Sequence, residues 1–125
     1  MAEAILNHLG NGAFNAFSAG SHPTGRVNPF TIHELLRRGY PTVGLVSKSW
    51  LNFAAPAPLD FDFVITVCKS ASLEIQPEWP GSPKKLKWNF RAPGEVAGSH
   101  KAVQFAFEEV CGQIEAAVKE FVLNS

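Results

Sequence analysis

Segments of strand and helix periodicity alternate along this chain, which predicts an α/β fold built on a parallel sheet. Three observations carry the prediction. Residues 61–67, Phe-Asp-Phe-Val-Ile-Thr-Val, form a β-branched and almost continuously apolar run, the pattern of a strand covered on both faces. Two helix starts are marked by capping chemistry, Asn28 before Pro29 and Ser99 before His100. Shorter strand signals at 13–18 and 85–88 are set apart from these by helical or loop sequence.

Residues 2–9 place Ile5, Leu6 and Leu9 on one stripe, with Gly10 and Gly12 as a stop. No capping residue precedes them, so they read as the tail of a helix. Residues 13–18, Ala-Phe-Asn-Ala-Phe-Ser, predict a short strand, and Ser18 to Asn28 a loop. Pro29 then opens a helix with Ile32, Leu35 and Leu36 as its apolar face and Gly39 as its end. Ser47 or Ser49 can cap a short helix through Phe53, which the Ala-Ala-Pro-Ala-Pro turn terminates. Lys85 to Trp88 is the last strand candidate, its lysines suited to a solvated edge. From His100 to about Leu123 the apolar residues keep helical spacing, and Gly112 inside that helix reads as a close-packing position.

A chain of 125 residues predicts one domain, 1–125, able to bury roughly two-thirds of its unfolded surface. Hydrophobic content of 46% and charged content of 18% exclude wholesale disorder. A formal net charge of zero argues against nucleic acid or an anionic membrane as partner, because both need a concentrated basic face. No apolar run reaches the roughly 20 residues that span a bilayer, and Glu3 with no basic n-region does not fit a signal peptide. Two cysteines, Cys68 and Cys111, without C-x-x-C spacing, suit a reducing cytoplasm. His8, His22, His33 and His100 share no metal-ligand spacing with one another or with the cysteines, so no metal site is expected.

Five short motifs in order then carry a resemblance: Met1-Ala-Glu-Ala-Ile-Leu-Asn7, Ser18-Ala-Gly-Ser-His-Pro23, Val27-Asn-Pro29, Ser47-Lys-Ser-Trp50 and Phe63-Val-Ile-Thr-Val-Cys68. Together they resemble the arsenate reductases of the low-molecular-weight protein tyrosine phosphatase superfamily. The resemblance implies a three-layer α/β/α fold around a parallel sheet. It also implies a C-x-x-x-x-x-R loop whose backbone N–H groups and arginine hold an oxyanion while the cysteine thiolate attacks it. Ser18 would help order that loop, and His22 would border the anion site.

Three departures follow from the same comparison. Neither cysteine heads a C-x-x-x-x-x-R stretch: Cys68 is followed by Lys-Ser-Ala-Ser-Leu-Glu and Cys111 by Gly-Gln-Ile-Glu-Ala-Ala. The catalytic positions implied by the loop are therefore assigned to no residue here. Trp88-Asn-Phe-Arg-Ala-Pro93 puts Ala92 where the family carries its general-acid aspartate. Arg91 cannot serve as an acid, Glu95 lies beyond the proline, and a general acid supplies about 10²–10⁴ in rate. Gln76-Pro77 stands where thioredoxin-coupled relatives place a second resolving cysteine. Cys68 is the one candidate redox residue, weighed against a buried thiol at a strand end, and Cys111 reads as structural.

The resemblance also implies that the first, central strand of the sheet is absent, which would leave 13–18 and 63–67 without partners. Unmade buried hydrogen bonds cost about 1–3 kcal/mol each. The expected responses are closure of the flanking strands on each other, self-association through open sheet edges, or marginal stability. Two functional expectations result. One is an arsenate-reductase-like domain that is inactive as written, able to use a small oxyanion only if the loop is restored. The other is a genuine cytoplasmic arsenate reductase or low-molecular-weight phosphatase whose N-terminus is missing from the chain. No cofactor is expected beyond a thiol reductant, such as a thioredoxin or glutaredoxin system, for a full-length form.

Overall fold

The computed structural model describes residues 1–20, 25–53, 60–68, 79, 81, 83–90 and 97–124, and of Cys68 and Asn89 the backbone alone. These residues fall into two compact units. One comprises Met1–Ser18, Arg26–Val46 and Ala92–Ser125; the other comprises Ala19–Gly25 and Ser47–Arg91.

The first unit is helical. Helix α1 spans Ala2–Leu9 and has no side-chain cap, as its sequence predicts. Helix α2 spans Pro29–Arg37; the Asn28 side chain accepts from the Phe30 N–H at 2.9 Å, and Pro29 sits where a missing N–H costs nothing. The chain leaves α2 through Gly39 at φ +85°, a left-handed turn that glycine adopts without strain. Helix α3 spans His100–Leu123, the predicted limits, with Ser99 Oγ accepting from Ala102 N–H at 3.2 Å.

All buried apolar side chains among the described residues belong to this unit: Ala4 and Ile5 of α1, Leu35 of α2, Tyr40, and Phe107, Val110, Cys111, Ile114 and Val118 of α3. Burying a large apolar side chain stabilises by roughly 1.5–3 kcal/mol, and five of these nine residues lie on α3.

The predicted apolar face of α2 needs correction. Leu35 is buried, but Leu36 is 58% exposed, and Glu34 is buried in its place at 1% exposure. Charge pairing explains the exchange. Arg37 donates to both Glu34 oxygens, at 2.8 and 2.7 Å, and Arg38 Nε donates at 2.6 Å. Arg38 also reaches α3, donating to the Glu108 carbonyl at 3.1 Å and lying 3.6 Å from Glu115 Oε1. Tyr40 donates its hydroxyl to the other Glu115 oxygen, and its ring takes the His8 imidazole edge-on at 5.2 Å. One polar cluster thus ties α2 to α3 and brings α1 against Tyr40.

The arginines hold the Glu34 carboxyl below the usual range, the Arg37 hydrogen bonds most strongly and against the cost of burial. Burial and the bond to Glu115 push Tyr40 up to about 12. Gly112 does not mark a tight helix contact: a Cβ there would meet Arg38 Nη2 at 3.7 Å, an ordinary distance.

The second unit contains the sheet. Strand β1 spans Phe63–Cys68 and β2 spans Lys84–Phe90, and they pair in parallel with Phe63 opposite Lys84 and Ile65 opposite Leu86. The register slips between Thr66 and Cys68, where β2 carries one extra residue. A parallel pair is what the apolar run predicted, but complete burial is not. Phe63 is 37% exposed and Val64, Ile65, Thr66 and Val67 are half-buried. Among the described residues the sheet has two strands, which give each side chain less cover than a wide sheet would. Lys84, Lys85 and Lys87 of β2 are exposed, in keeping with a solvated edge. Ser49 caps the 3₁₀ turn Trp50–Phe53, its Oγ accepting from Leu51 N–H at 3.2 Å.

The strand predicted at 13–18 does not form. Residues 14–19 adopt no strand, and the main chain of Ala16 is bound by a side chain.

Candidate functional site

The side chain that binds Ala16 is Asn7. Its Nδ2 donates to the Ala16 carbonyl at 3.1 Å, and its Oδ1 accepts from the Ala16 N–H at 2.7 Å. A primary amide has the donor and acceptor of a peptide group, so Asn7 supplies one rung of a ladder. Glu3, one turn earlier on the same face of α1, accepts a hydrogen bond from the Ser18 hydroxyl at 2.6 Å.

The spacing explains the fit. Four residues of helix advance about 6 Å, and two residues of extended chain advance about 6.6 Å. The pairs Glu3–Ser18 and Asn7–Ala16 therefore run antiparallel in near register. The segment that ends at Ser18, the predicted support of an anion loop, is held from α1 at two points, Ser18 itself by Glu3. The one proton of the Ser18 hydroxyl is committed to a carboxylate, which leaves its lone pairs to accept an N–H.

In the second unit the structure joins two of the sequence motifs. Gly20 N–H donates to the Lys48 carbonyl at 3.0 Å, and Trp50 N–H donates to the Gly20 carbonyl at 3.0 Å, making an isolated parallel bridge between Gly20 and Ser49. Gly25, at φ +92°, donates its N–H to Ser47 Oγ at 3.2 Å. The Ser47-Lys-Ser-Trp50 segment thus holds both Gly20 and Gly25. Trp50 in turn meets Trp79 edge-on at 6.1 Å.

Of the remaining predicted site residues, His22 and Ala92 lie outside the described residues, as does the Cys68 side chain. The backbone of Cys68 closes β1 opposite Phe90. Cys111 is fully buried in α3, and burial pushes its thiol up against the opposing pull of the Arg38 guanidinium. A buried thiol held protonated is a poor nucleophile. Among the described residues no three His, Cys, Asp or Glu side chains gather where they could hold a metal ion. His33 and His100 border a shallow groove with Phe30, and both are exposed. Among the described residues no helix is long and apolar enough to cross a membrane.

Sequence reasoning missed Glu3, Asn7 and the Glu34 cluster. The i, i+4 placement of Glu3 and Asn7 was the available signal for the first two.

The profile of the family described as low molecular weight phosphotyrosine protein phosphatase matches residues 1–124. The chain belongs to that family. Two solved structures are similar to this family member over 98% of its length and 86% of theirs. One, described as an arsenate reductase in reduced state, is 25% identical with a TM-score of 0.73. The other, described as an arsenate reductase in the reduced state, is 26% identical with a TM-score of 0.75. No curated protein matches the chain. The helices and the small parallel sheet are those of the family's α/β fold.

Proposed function

We propose that residues 1–125 are the scaffold of an arsenate-reductase-like domain that does not turn over by itself. The observation that carries this reading is the sequence: no C-x-x-x-x-x-R stretch occurs in it, and the family resemblance implies that Ala92 takes the general-acid position. The likeness to two arsenate reductases supports arsenate over phosphotyrosine as the substrate of the lineage.

With a loop cysteine supplied, arsenate chemistry needs two thiols. The first thiolate bonds to arsenic with loss of water, and the second attacks the first sulfur. The S–As bond then breaks, its electron pair stays on arsenic, and arsenite leaves as a disulfide forms. Cys68 is the candidate second thiol, and an external dithiol of the thioredoxin or glutaredoxin class would restore both. Phosphate-ester cleavage would in addition want an acid on the leaving oxygen, and Ala92 holds no proton. Ser18, with its hydroxyl donating to Glu3, fits a role in accepting a loop N–H and not in donating to the oxyanion.

The test is arsenate reduction and p-nitrophenyl phosphate hydrolysis by the purified chain, beside a version with a strand and C-x-x-x-x-x-R loop joined before Met1. The reading expects the chain to be inert and the joined version to reduce arsenate in a Cys68-dependent way. Turnover by the chain alone overturns it. Full phosphatase activity of the joined version would assign the lineage to phosphate esters.

A further inference from the structure

Seven asparagines occur in the chain, and Asn11 alone is followed by glycine. Ring closure between an asparagine side chain and the next backbone nitrogen needs an unhindered nitrogen, a free amide and a main chain able to turn. Asn11–Gly12 meets the first two and sits in a turn held by two backbone bonds, Asn11 N–H to the His8 carbonyl at 3.3 Å and Ala13 N–H to the Gly10 carbonyl at 2.9 Å. Neither bond engages the groups that would react. Among the described residues the Asn11 amide and the Gly12 N–H have no hydrogen-bond partner. Both residues are exposed, and beyond Gly12 and its two chain neighbours no heavy atom lies within 4 Å of where a Cβ on Gly12 would stand.

Three other asparagines serve as internal contrasts. Both atoms of the Asn7 amide are bound to Ala16. Asn28 precedes Pro29, which has no N–H to react. The Asn124 amide donates to the Glu120 carbonyl at 2.9 Å.

We propose that Asn11–Gly12 is a self-modification site, where Asn11 deamidates through a succinimide. The Gly12 nitrogen, giving its proton to water or hydroxide, bonds to Asn11 Cγ. The Cγ–Nδ2 bond breaks and Nδ2 leaves as ammonia. Water then opens the five-membered ring at either carbonyl, giving an aspartyl or an isoaspartyl link at position 11. No other reactant is consumed. The reaction needs rotation at Asn11, which stands at φ +48° in a turn closed by the 2.9 and 3.3 Å bonds.

The product changes the local surface. Asn11 lines an open cleft with Ala4, Asn7, His8, Gly12 and Pro41, and the reaction replaces a neutral amide there by a carboxylate. The formal charge of the chain falls from zero to minus one. The new anion sits at the C-terminal end of α1, the end whose unpaired carbonyls disfavour it. The isoaspartyl form also adds a methylene to the main chain in that turn.

The purified chain, incubated at mildly alkaline pH, is followed by isoelectric focusing, isoaspartyl-specific carboxyl methylation and peptide mapping. An acidic form is expected to accumulate and to map first to position 11, leaving the Asn7 peptide unchanged. Asn11→Gln abolishes it, because the larger ring closes slowly, and Gly12→Ala slows it by about tenfold or more through the added Cβ. Gly12 stands at φ +85°, so Ala strains the fold, and Asn11→Gln is the decisive variant. The folded chain should convert within about tenfold of the rate in urea, as a freely opening turn allows. Protection of about a hundredfold or more on folding, or first modification at another asparagine, overturns the proposal.

Discussion

Replacing Glu34 by Gln tests the polar cluster that joins α2 to α3. The change keeps the side chain's volume and removes its charge, turning one acceptor oxygen into an N–H₂ that faces arginine donors. The Arg38 bond is the part protected from solvent: it is 2.6 Å long, with Arg38 at 23% exposure and Glu34 at 2%. A charge-assisted bond of this kind contributes about 1.5–3 kcal/mol. The Arg37 bonds lower the Glu34 pKa most, but that side chain is 48% exposed and screened by water, so they enter the stability figure only at a discount. Arg38 keeps the Glu108 carbonyl and Glu115 as partners, so the change does not strand a buried charge and the larger penalty for doing so is not reached. Glu34→Gln should therefore lower stability by about 1.5–3 kcal/mol in urea unfolding and Tm by roughly 5–10 °C.

The pH dependence has a fixed sign. The folded pKa of Glu34 is depressed, so its contribution is present above the unfolded carboxylate range and is lost as pH falls through the folded value. The gap between wild type and variant should be constant from about pH 7 to about pH 5 and close below that. A gap under about 0.5 kcal/mol at neutral pH, or one that persists unchanged into acid, refutes the assignment of Glu34 as a paired buried anion.

Gly112→Ala should raise stability by up to about 1 kcal/mol, since the helix gains propensity and the new methyl meets Arg38 at an ordinary distance; a lower Tm would mean the space is not there. Tyr40 is the chain's one tyrosine, so its ultraviolet absorbance reports a single phenol, whose midpoint should lie at about 12 while the protein stays folded. Because folding favours the neutral phenol, stability should fall as pH rises from about 10 toward that value, and a midpoint near 10 in the folded protein would sink the Glu115 contact. Asn7→Ala removes both bonds to Ala16, at a cost of about 1 kcal/mol, and should speed hydrogen exchange at the Ala16 amide while leaving the amides of α3 unchanged. Equal acceleration in both places would show that the residue supports the whole unit and not the extended segment.

Local chemistry made much of this fold legible. The limits of α3 followed from Ser99 and an unbroken helical stripe, and the start of α2 from Asn28 and Pro29, because caps act within one turn of the residues that carry them. What pairs with what across the chain was harder to read. Glu34 looks like a surface residue in sequence, and its arginines, three and four positions on, look like ordinary solvated helix pairs. Only α3, arriving some 70 residues later, turns them inward. The segment at 13–18 has the alternation of a strand and adopts no ladder, since alternation sets backbone shape and cannot name a partner. In the candidate site, the contact from Glu3 to Ser18 was hard to read, because a glutamate in the first turn of a helix is already accounted for by the helix itself, and only its i, i+4 placement with Asn7 hinted at a shared partner.

The helical unit is drawn from three separated stretches of chain, and this orders events during synthesis. When α1 and α2 leave the ribosome, Ile5 and Leu35 have nothing to pack against, and Arg38 can reach Glu34 but not Glu108 or Glu115. The hydrophobic half of their interface arrives only with residues 107–118. Until translation has passed that point, the nascent chain holds two short amphipathic helices, each below the length that is stable alone in water. A messenger that stalls between the sheet and α3 would therefore release a product with its apolar stripes uncovered, a natural client for chaperones and proteases.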